Sequence, residues 1–287
     1  MIPHSHQTSH LQPPSSLWPQ NPLRVPDDEA AIPRLETWLF HSTILPHPDH
    51  REVLVYLPEV YFSDPARRFP VFYLQDGQNL FDPRTAYVPG HTWQAHTTAD
   101  RLTAAGEIEP VILVGIANTG LHRLAEYTPT RDTKLGGGEG SVYGNLLIHE
   151  IKPFIDGHYR TRPAATDTAL GGSSLGGLIS LYLGFEHPEV FRRLAVLSPS
   201  VWWDHRSILD LVSRTHPRPP LRIWLDMGTA EGPRHLRNTS HLHHLLLQLG
   251  WQEGVDLAYM EVEGATHTED AWAARFDHVL KFLFPAK

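Results

Sequence analysis

Short unbroken apolar runs alternate along this chain with stretches in which apolar residues recur every three or four positions. Residues 69–75 (Phe-Pro-Val-Phe-Tyr-Leu-Gln) and 110–118 (Pro-Val-Ile-Leu-Val-Gly-Ile-Ala-Asn) are runs of the first kind, bounded by turn formers, and read as strands buried on both faces. Further strands are expected at 168–170, 193–197, 221–227 and 257–262. Helical spacing is clearest over 143–159, where Leu146, Leu147, Ile151, Phe154 and Ile155 share a face. Helices are also expected over about 97–102, from Leu175 onward, near Ile208, and over 233–249 and 269–283. Residues 36–45 and 51–57 instead alternate apolar and polar positions around Pro46-His47-Pro48-Asp49-His50, the pattern of an antiparallel hairpin at a sheet edge. Strands alternating with helices predict one α/β domain over 34–287, a mostly parallel central sheet with helices on both faces and no internal repeat.

The first 33 residues break this pattern. Seven prolines with His, Gln and Ser between them cannot sustain a periodic element, so residues 1–33 read as an arm that is draped on the surface or disordered. His4 and His6 in it read as part of a polar tail rather than as metal ligands. Net charge is −8 and there is no basic run, which argues against nucleic acid or an anionic membrane as partner. No stretch is long and apolar enough to span a membrane and the chain start lacks a secretory pattern, so a soluble cytoplasmic protein is expected. The absence of cysteine removes thiol nucleophiles and thiolate metal sites. His241-x-His243-His244 has weak metal spacing without the H-e-x-x-H arrangement, and no metal or cofactor is expected.

Chemistry concentrates at Gly171-Gly172-Ser173-Ser174-Leu175-Gly176-Gly177, where an apolar run turns sharply into a helical one. A nucleophilic serine on such a strand-to-helix turn adopts a strained backbone, and bulk two residues to either side would collide. Gly172 and Gly176 flank Ser174 at those positions, whereas counting from Ser173 puts Leu175 there. Neither a phosphate-binding loop nor a dinucleotide turn fits, since G-K-[ST] and G-x-G-x-x-G are both missing. A serine nucleophile needs a base, and among twenty histidines His267 alone lies in the loop after the last strand, where the carboxyl edge of a parallel sheet gathers functional groups. The acid that orients it is Glu231, in the loop after the 221–227 strand, or alternatively Asp226 within that strand. The tetrahedral intermediate needs preorganised donors, for which the N–H groups of Leu175 and Gln78 are the candidates, with Gly77 permitting close approach. Arg123, in a long polar stretch reaching Gly136–Gly138, and Trp202 and Trp203 are candidate pocket residues. For the tryptophans, core packing is the competing role.

Five blocks together resemble the putative esterase family of α/β-hydrolases: residues 73–82, 171–177, 198–204 (Ser-Pro-Ser-Val-Trp-Trp-Asp), 226–231 and 267–272. They run from about Trp38 to Phe284. The resemblance, strongest to enterochelin-esterase-like and feruloyl-esterase-like enzymes, implies the α/β-hydrolase fold, Ser174 as nucleophile, His267 as base, Glu231 as acid, an oxyanion site at Gln78 and Leu175, and no cofactor. The arm is too short and proline-rich for the separate β-domain of ferric-enterochelin esterases. The expected activity is hydrolysis of small acyl, aryl or siderophore-like esters. Acyl transfer or thioester hydrolysis on the same groups, and a non-catalytic binding module, are the competing readings.

Overall fold

The computed structural model describes residues 22–26, 31–45 and 50–286. Nine strands form one sheet: β1 (Leu23–Val25), β2 (Leu35–His41), β3 (His50–Tyr56), β4 (Val71–Gln75), β5 (Ile112–Ile116), β6 (Thr168–Ser173), β7 (Arg193–Leu197), β8 (Arg222–Gly228) and β9 (Leu257–Val262), in the spatial order 1-2-3-5-4-6-7-8-9. Every pairing from β5·β4 across to β8·β9 is parallel, while β1, β2 and β3 join as antiparallel edge strands. The chain lays β5 on one side of β4 and then returns to lay β6 on the other. The strand order therefore reverses between β4 and β6, and a crevice opens there at the carboxyl edge.

Side chains alternate across the strands, so each strand feeds two cores. Val53, Val55, Val71, Tyr73, Leu170 and Val196 face one layer, which holds the helices Leu175–Glu186, Ser207–Arg214 and Pro233–Gln248. Leu54, Tyr56, Phe72, Leu74, Ala169 and Ala195 face the other, against the helices Ala95–Ala104 and Phe276–Leu283. The residues at β4 and β5 are buried throughout, as their unbroken apolar runs require. Among the described residues no helix is long and apolar enough to cross a membrane.

Three elements depart from the sequence pattern. Within the arm expected to lack regular structure, Leu23–Val25 pairs with β2. Pro22 and Pro26 bracket a proline-free segment there, and the open edge of β2 supplies the hydrogen-bonding partners that the segment's own composition does not predict. The rest of the arm up to residue 21, including His4 and His6, and the hairpin tip 46–49 lie outside the described residues. The helix expected over 143–159 begins at Gly140 and contains a wide π-helical segment, Leu147–Ile151, before Lys152–His158. Pro153 has no N–H to give and its ring would strike the preceding turn, and the wide segment makes room for it. The helix expected over 269–283 is two, Glu269–Ala273 and Phe276–Leu283. The break turns Arg275 inward, where it is 2% exposed and bonded to Asp226.

Candidate active site

Ser174 joins β6 to the helix Leu175–Glu186 with φ 58° and ψ −122°, a conformation that L-residues avoid. Three backbone bonds hold it: its N–H donates to the Leu197 carbonyl at 3.1 Å, and its carbonyl accepts from Ser200 N–H at 3.0 Å and Leu178 N–H at 3.1 Å. The flanking glycines are required by space. A Cβ on Gly172 would lie 2.8 Å from Gln75 Cβ, and one on Gly176 would lie 3.0 Å from the same atom and 3.4 Å from Asp76 Oδ2. The turns after β4 and β6 therefore abut across the crevice. Ser173, by contrast, is the last residue of β6 and is buried.

The loops after β8 and β9 carry the two other members of the expected triad. Gly264 N–H donates to Thr229 Oγ1 at 2.8 Å and Ala230 N–H to the Ala265 carbonyl at 3.1 Å, which latches one loop to the other. His267 Nδ1 meets Glu231 Oε2 at 2.6 Å. A carboxylate can only accept, so Nδ1 carries the proton of the neutral ring and Nε2 presents a lone pair. Glu231 Oε1 accepts from Gly228 N–H at 2.9 Å and from the Ser198 hydroxyl at 2.6 Å. Burial pushes the Glu231 carboxyl up, but the hydrogen bonds from His267, Ser198 and Gly228 outweigh it and hold the group below its ordinary pKa. The His267 ring is half-exposed and lies edge-on to Trp272, with centroids 4.9 Å apart. Ser174 Oγ is hydrogen-bonded to Ser200 Oγ at 3.4 Å and not to His267. Such contacts commonly close only around a substrate.

Asp226, the alternative acid, does not reach His267. It is fully buried and accepts from Arg275 Nη2 at 2.9 Å, Trp224 Nε1 at 2.7 Å and Ser198 N–H at 3.1 Å. Its place in the strand directs its side chain into the sheet edge, away from the loop that carries the histidine. Burial raises its pKa, an effect that Arg275 opposes.

On the other side of Ser174, Gly77 opens a single 3₁₀ turn, Gly77–Asn79, behind Asp76 in the left-handed region. A Cβ on Gly77 would lie 2.5 Å from the backbone carbon of Gly115, so only glycine lets this turn press against β5. Gln78 and Leu175 both stand in the first turn of a helical segment, where N–H groups have no intrahelical carbonyl to meet. Arg123 does not stand free as a pocket cation. Its Nε and Nη2 each bond Asp76 at 2.7 Å, and its guanidinium covers the Tyr127 ring at 5.0 Å. Burial works to lower the Arg123 pKa, yet the bonds and charge of Asp76 hold it above the ordinary value. Asn118 Nδ2 also reaches Asp76, at 2.7 Å, so the turn that carries Gln78 is braced from the loop after β5. Trp203 is a correction: it is fully buried and donates to the Thr130 carbonyl at 2.9 Å, so it packs the core and cannot touch a substrate. Trp202 beside it is partly exposed.

Beyond Gln78 lies a cavity of about 530 Å³ bordered by His50, Glu52, Gln78, Asn118, Leu121 and His122. The His241 to His244 stretch serves its own helix and sheet: His243 Nε2 meets Glu253 at 2.5 Å and its ring stacks on Tyr259, while His244 Nδ1 meets the Ser240 carbonyl at 2.6 Å. Pattern reading missed Ser198, Asp76, Asn118 and Arg275. Arg275 alone left a signal, a cation on the apolar face of an otherwise amphipathic stretch.

Known proteins match both the chain and its fold. The model of the putative esterase family matches residues 46–283. The uncharacterized protein YbbA of Bacillus subtilis is 26% identical over 249 residues, which is 82% of this chain and 93% of that one. The iron(III) salmochelin esterase of Escherichia coli O6:H1 is 27% identical over 215 residues, 70% of this chain but 47% of its own length. Among solved structures, the BES protein from Bacillus cereus superposes with a TM-score of 0.72 at 22% identity, covering 91% of this chain and 98% of that one. The enterobactin esterase of Shigella flexneri superposes with a TM-score of 0.69 at 22% identity, covering 87% and 58%. With a strained serine on a strand-to-helix turn at the switch point of a mostly parallel sheet, and with the family model matching most of its length, this chain belongs to the putative esterase family and is an esterase of the α/β-hydrolase fold.

Proposed function

We propose that Ser174, His267 and Glu231 act as a catalytic triad that hydrolyses small carboxylic esters. The observation that carries this reading is the 2.6 Å bond from His267 Nδ1 to Glu231, on the same sheet edge as the strained Ser174. Because that bond occupies Nδ1, Nε2 is the atom that takes the proton from Ser174 Oγ as the oxygen attacks the ester carbonyl. The N–H groups of Gln78 and Leu175 receive the negative charge on the former carbonyl oxygen. Collapse of the intermediate breaks the bond to the alcohol, which leaves with the proton from Nε2. Water then repeats the sequence on the acyl-serine.

Leaving-group protonation puts the alcohol on the His267 side of Ser174. The acyl group then points the opposite way, across β4 toward the cavity beside Gln78, whose volume suits a small organic group. Relatives named as siderophore and feruloyl esterases support esters of the siderophore or aryl type as substrates.

Purified protein assayed on p-nitrophenyl esters, with thioesters and added alcohols as parallel arms, tests this. Esters should be cleaved and Ser174→Ala should lose at least about 10³-fold in kcat with an unchanged melting curve. Turnover retained in that variant removes the mechanism. Faster turnover of thioesters, or transfer to the added alcohol, would redirect it to a different acceptor chemistry.

A further inference from the structure

Ser198 opens the loop after β7 with φ 41°, joining Asp76 and Ser174 as a non-glycine residue of positive φ at the carboxyl edge. Asp226 holds it there: the Ser198 N–H donates to Asp226 Oδ1 and to the Asp226 carbonyl, both at 3.1 Å. Its hydroxyl oxygen accepts from Arg275 Nη2 at 2.6 Å and from Trp272 Nε1 at 3.0 Å. A hydroxyl has two lone pairs and one proton. With both lone pairs taken by groups that can only donate, the proton has one acceptor left, Glu231 Oε1 at 2.6 Å. Its direction is set by elimination, and neither neighbour can reverse it.

Backbone strain, a buried ion pair and two indole or guanidinium donors thus converge on one hydroxyl. Buried Asp226–Arg275 pairs cost desolvation that their attraction seldom exceeds, so stability alone is a weak reason for this one. Arg275 also has a buried Nε with no acceptor among the described residues, a further cost. The return is at Glu231. With Oε1 tied by Ser198 and Gly228, the carboxylate cannot rotate, and Oε2 stays aimed at His267.

We propose that Ser198 is a positioning residue for the Glu231 carboxylate, and that the buried Asp226–Arg275 pair with Trp272 serves to orient the Ser198 hydroxyl. This rests on the triad proposed above. It also accounts for the two carboxylates on neighbouring positions of one sheet edge: one meets the histidine and the other anchors the device that aims it.

The test uses the full chain and p-nitrophenyl acetate. Ser198→Ala and Ser198→Gly remove the hydroxyl, and glycine accepts a positive φ without strain. In both, kcat should fall about 10- to 100-fold, the worth of a hydrogen bond to a charged group, with KM little changed. In a Glu231→Gln background, Ser198→Ala should cost less than about threefold more, because the two act as one unit. Unchanged kcat in Ser198→Gly, or additive losses in the double variant, overturn the proposal. Activity surviving in Ser174→Ala, measured alongside, would instead show that the triad itself is wrong.

Discussion

Glu231 and Asp226 are both carboxylates near the carboxyl end of β8, yet their surroundings give them different partners. Glu231 lies in the loop, with one oxygen on His267 and the other on two donors. Asp226 lies in the strand and is walled in by Arg275, Trp224 and Ser198. Neutralising each should therefore have a different signature. Glu231→Gln should cut kcat by about 10³- to 10⁴-fold, because an amide can favour the wrong imidazole tautomer, while leaving the denaturation midpoint nearly unchanged. Asp226→Asn should leave the buried Arg275 charge with only the longer 3.8 Å contact to Glu231 and cost about 3–5 kcal/mol of stability, read from urea unfolding. A steep loss of stability in Glu231→Gln with modest loss of turnover would reverse the two roles. From residue types alone both remained acids near the right place. The choice depended on whether the side chain left the strand plane, which is a matter of loop geometry.

At the level of single elements, glycines let the turns after β4 and β6 pack tightly, Gly172 and Gly176 against the Gln75 side chain and Gly77 against the β5 backbone. Gly77 lies so close to β5 that a Cβ would fall 2.5 Å from Gly115 C and 2.7 Å from Ile116 N. Both are backbone atoms and cannot swing aside. Gly77→Ala should therefore displace the turn, lowering kcat through the Gln78 N–H and stability by about 1–3 kcal/mol. Gly157, in the helix Lys152–His158, has nothing within 4 Å of its virtual Cβ. Gly157→Ala should leave kcat alone and raise stability by about 0.5–1 kcal/mol, so the pair separates a glycine needed for close approach from one that is not. The elbow was legible because collision at plus and minus two residues is local and leaves its trace in G-x-S-x-G. The strands were legible for the same reason, since burial on both faces demands continuous apolar runs. Breaks in helices were not: the interruption at Ala274 and Arg275 answers to a carboxylate on β8, which no window along the chain contains.

Across the whole molecule, the reversal of strand order between β4 and β6 places Ser174 at the centre of the carboxyl edge. The histidine approaches from the β9 side and the cavity opens toward β5 and β3. Acyl and alcohol preferences should accordingly be separable by substitution. His122→Ala, at the cavity wall, should alter the ranking of kcat/KM across an acyl series with p-nitrophenol as common leaving group. It should leave the ranking across an alcohol series with a common acetyl group unchanged. A change confined to the alcohol series would place the acyl group on the other side.

The amino-acid sequence by itself determined the alternation of strands and helices, the strained serine with its two glycines, and the loops that carry His267 and Glu231, because each is written in short-range sterics or in periodic burial. Only the tertiary structure decided that Glu231 and not Asp226 meets the imidazole, that Trp203 fills the core, that Arg123 braces the turn of Gln78 through Asp76, and that the Ser198 hydroxyl bonds Glu231. Those outcomes depend on which donors and acceptors from distant segments share a buried space, and a buried polar group takes whatever partner the fold brings within about 3 Å.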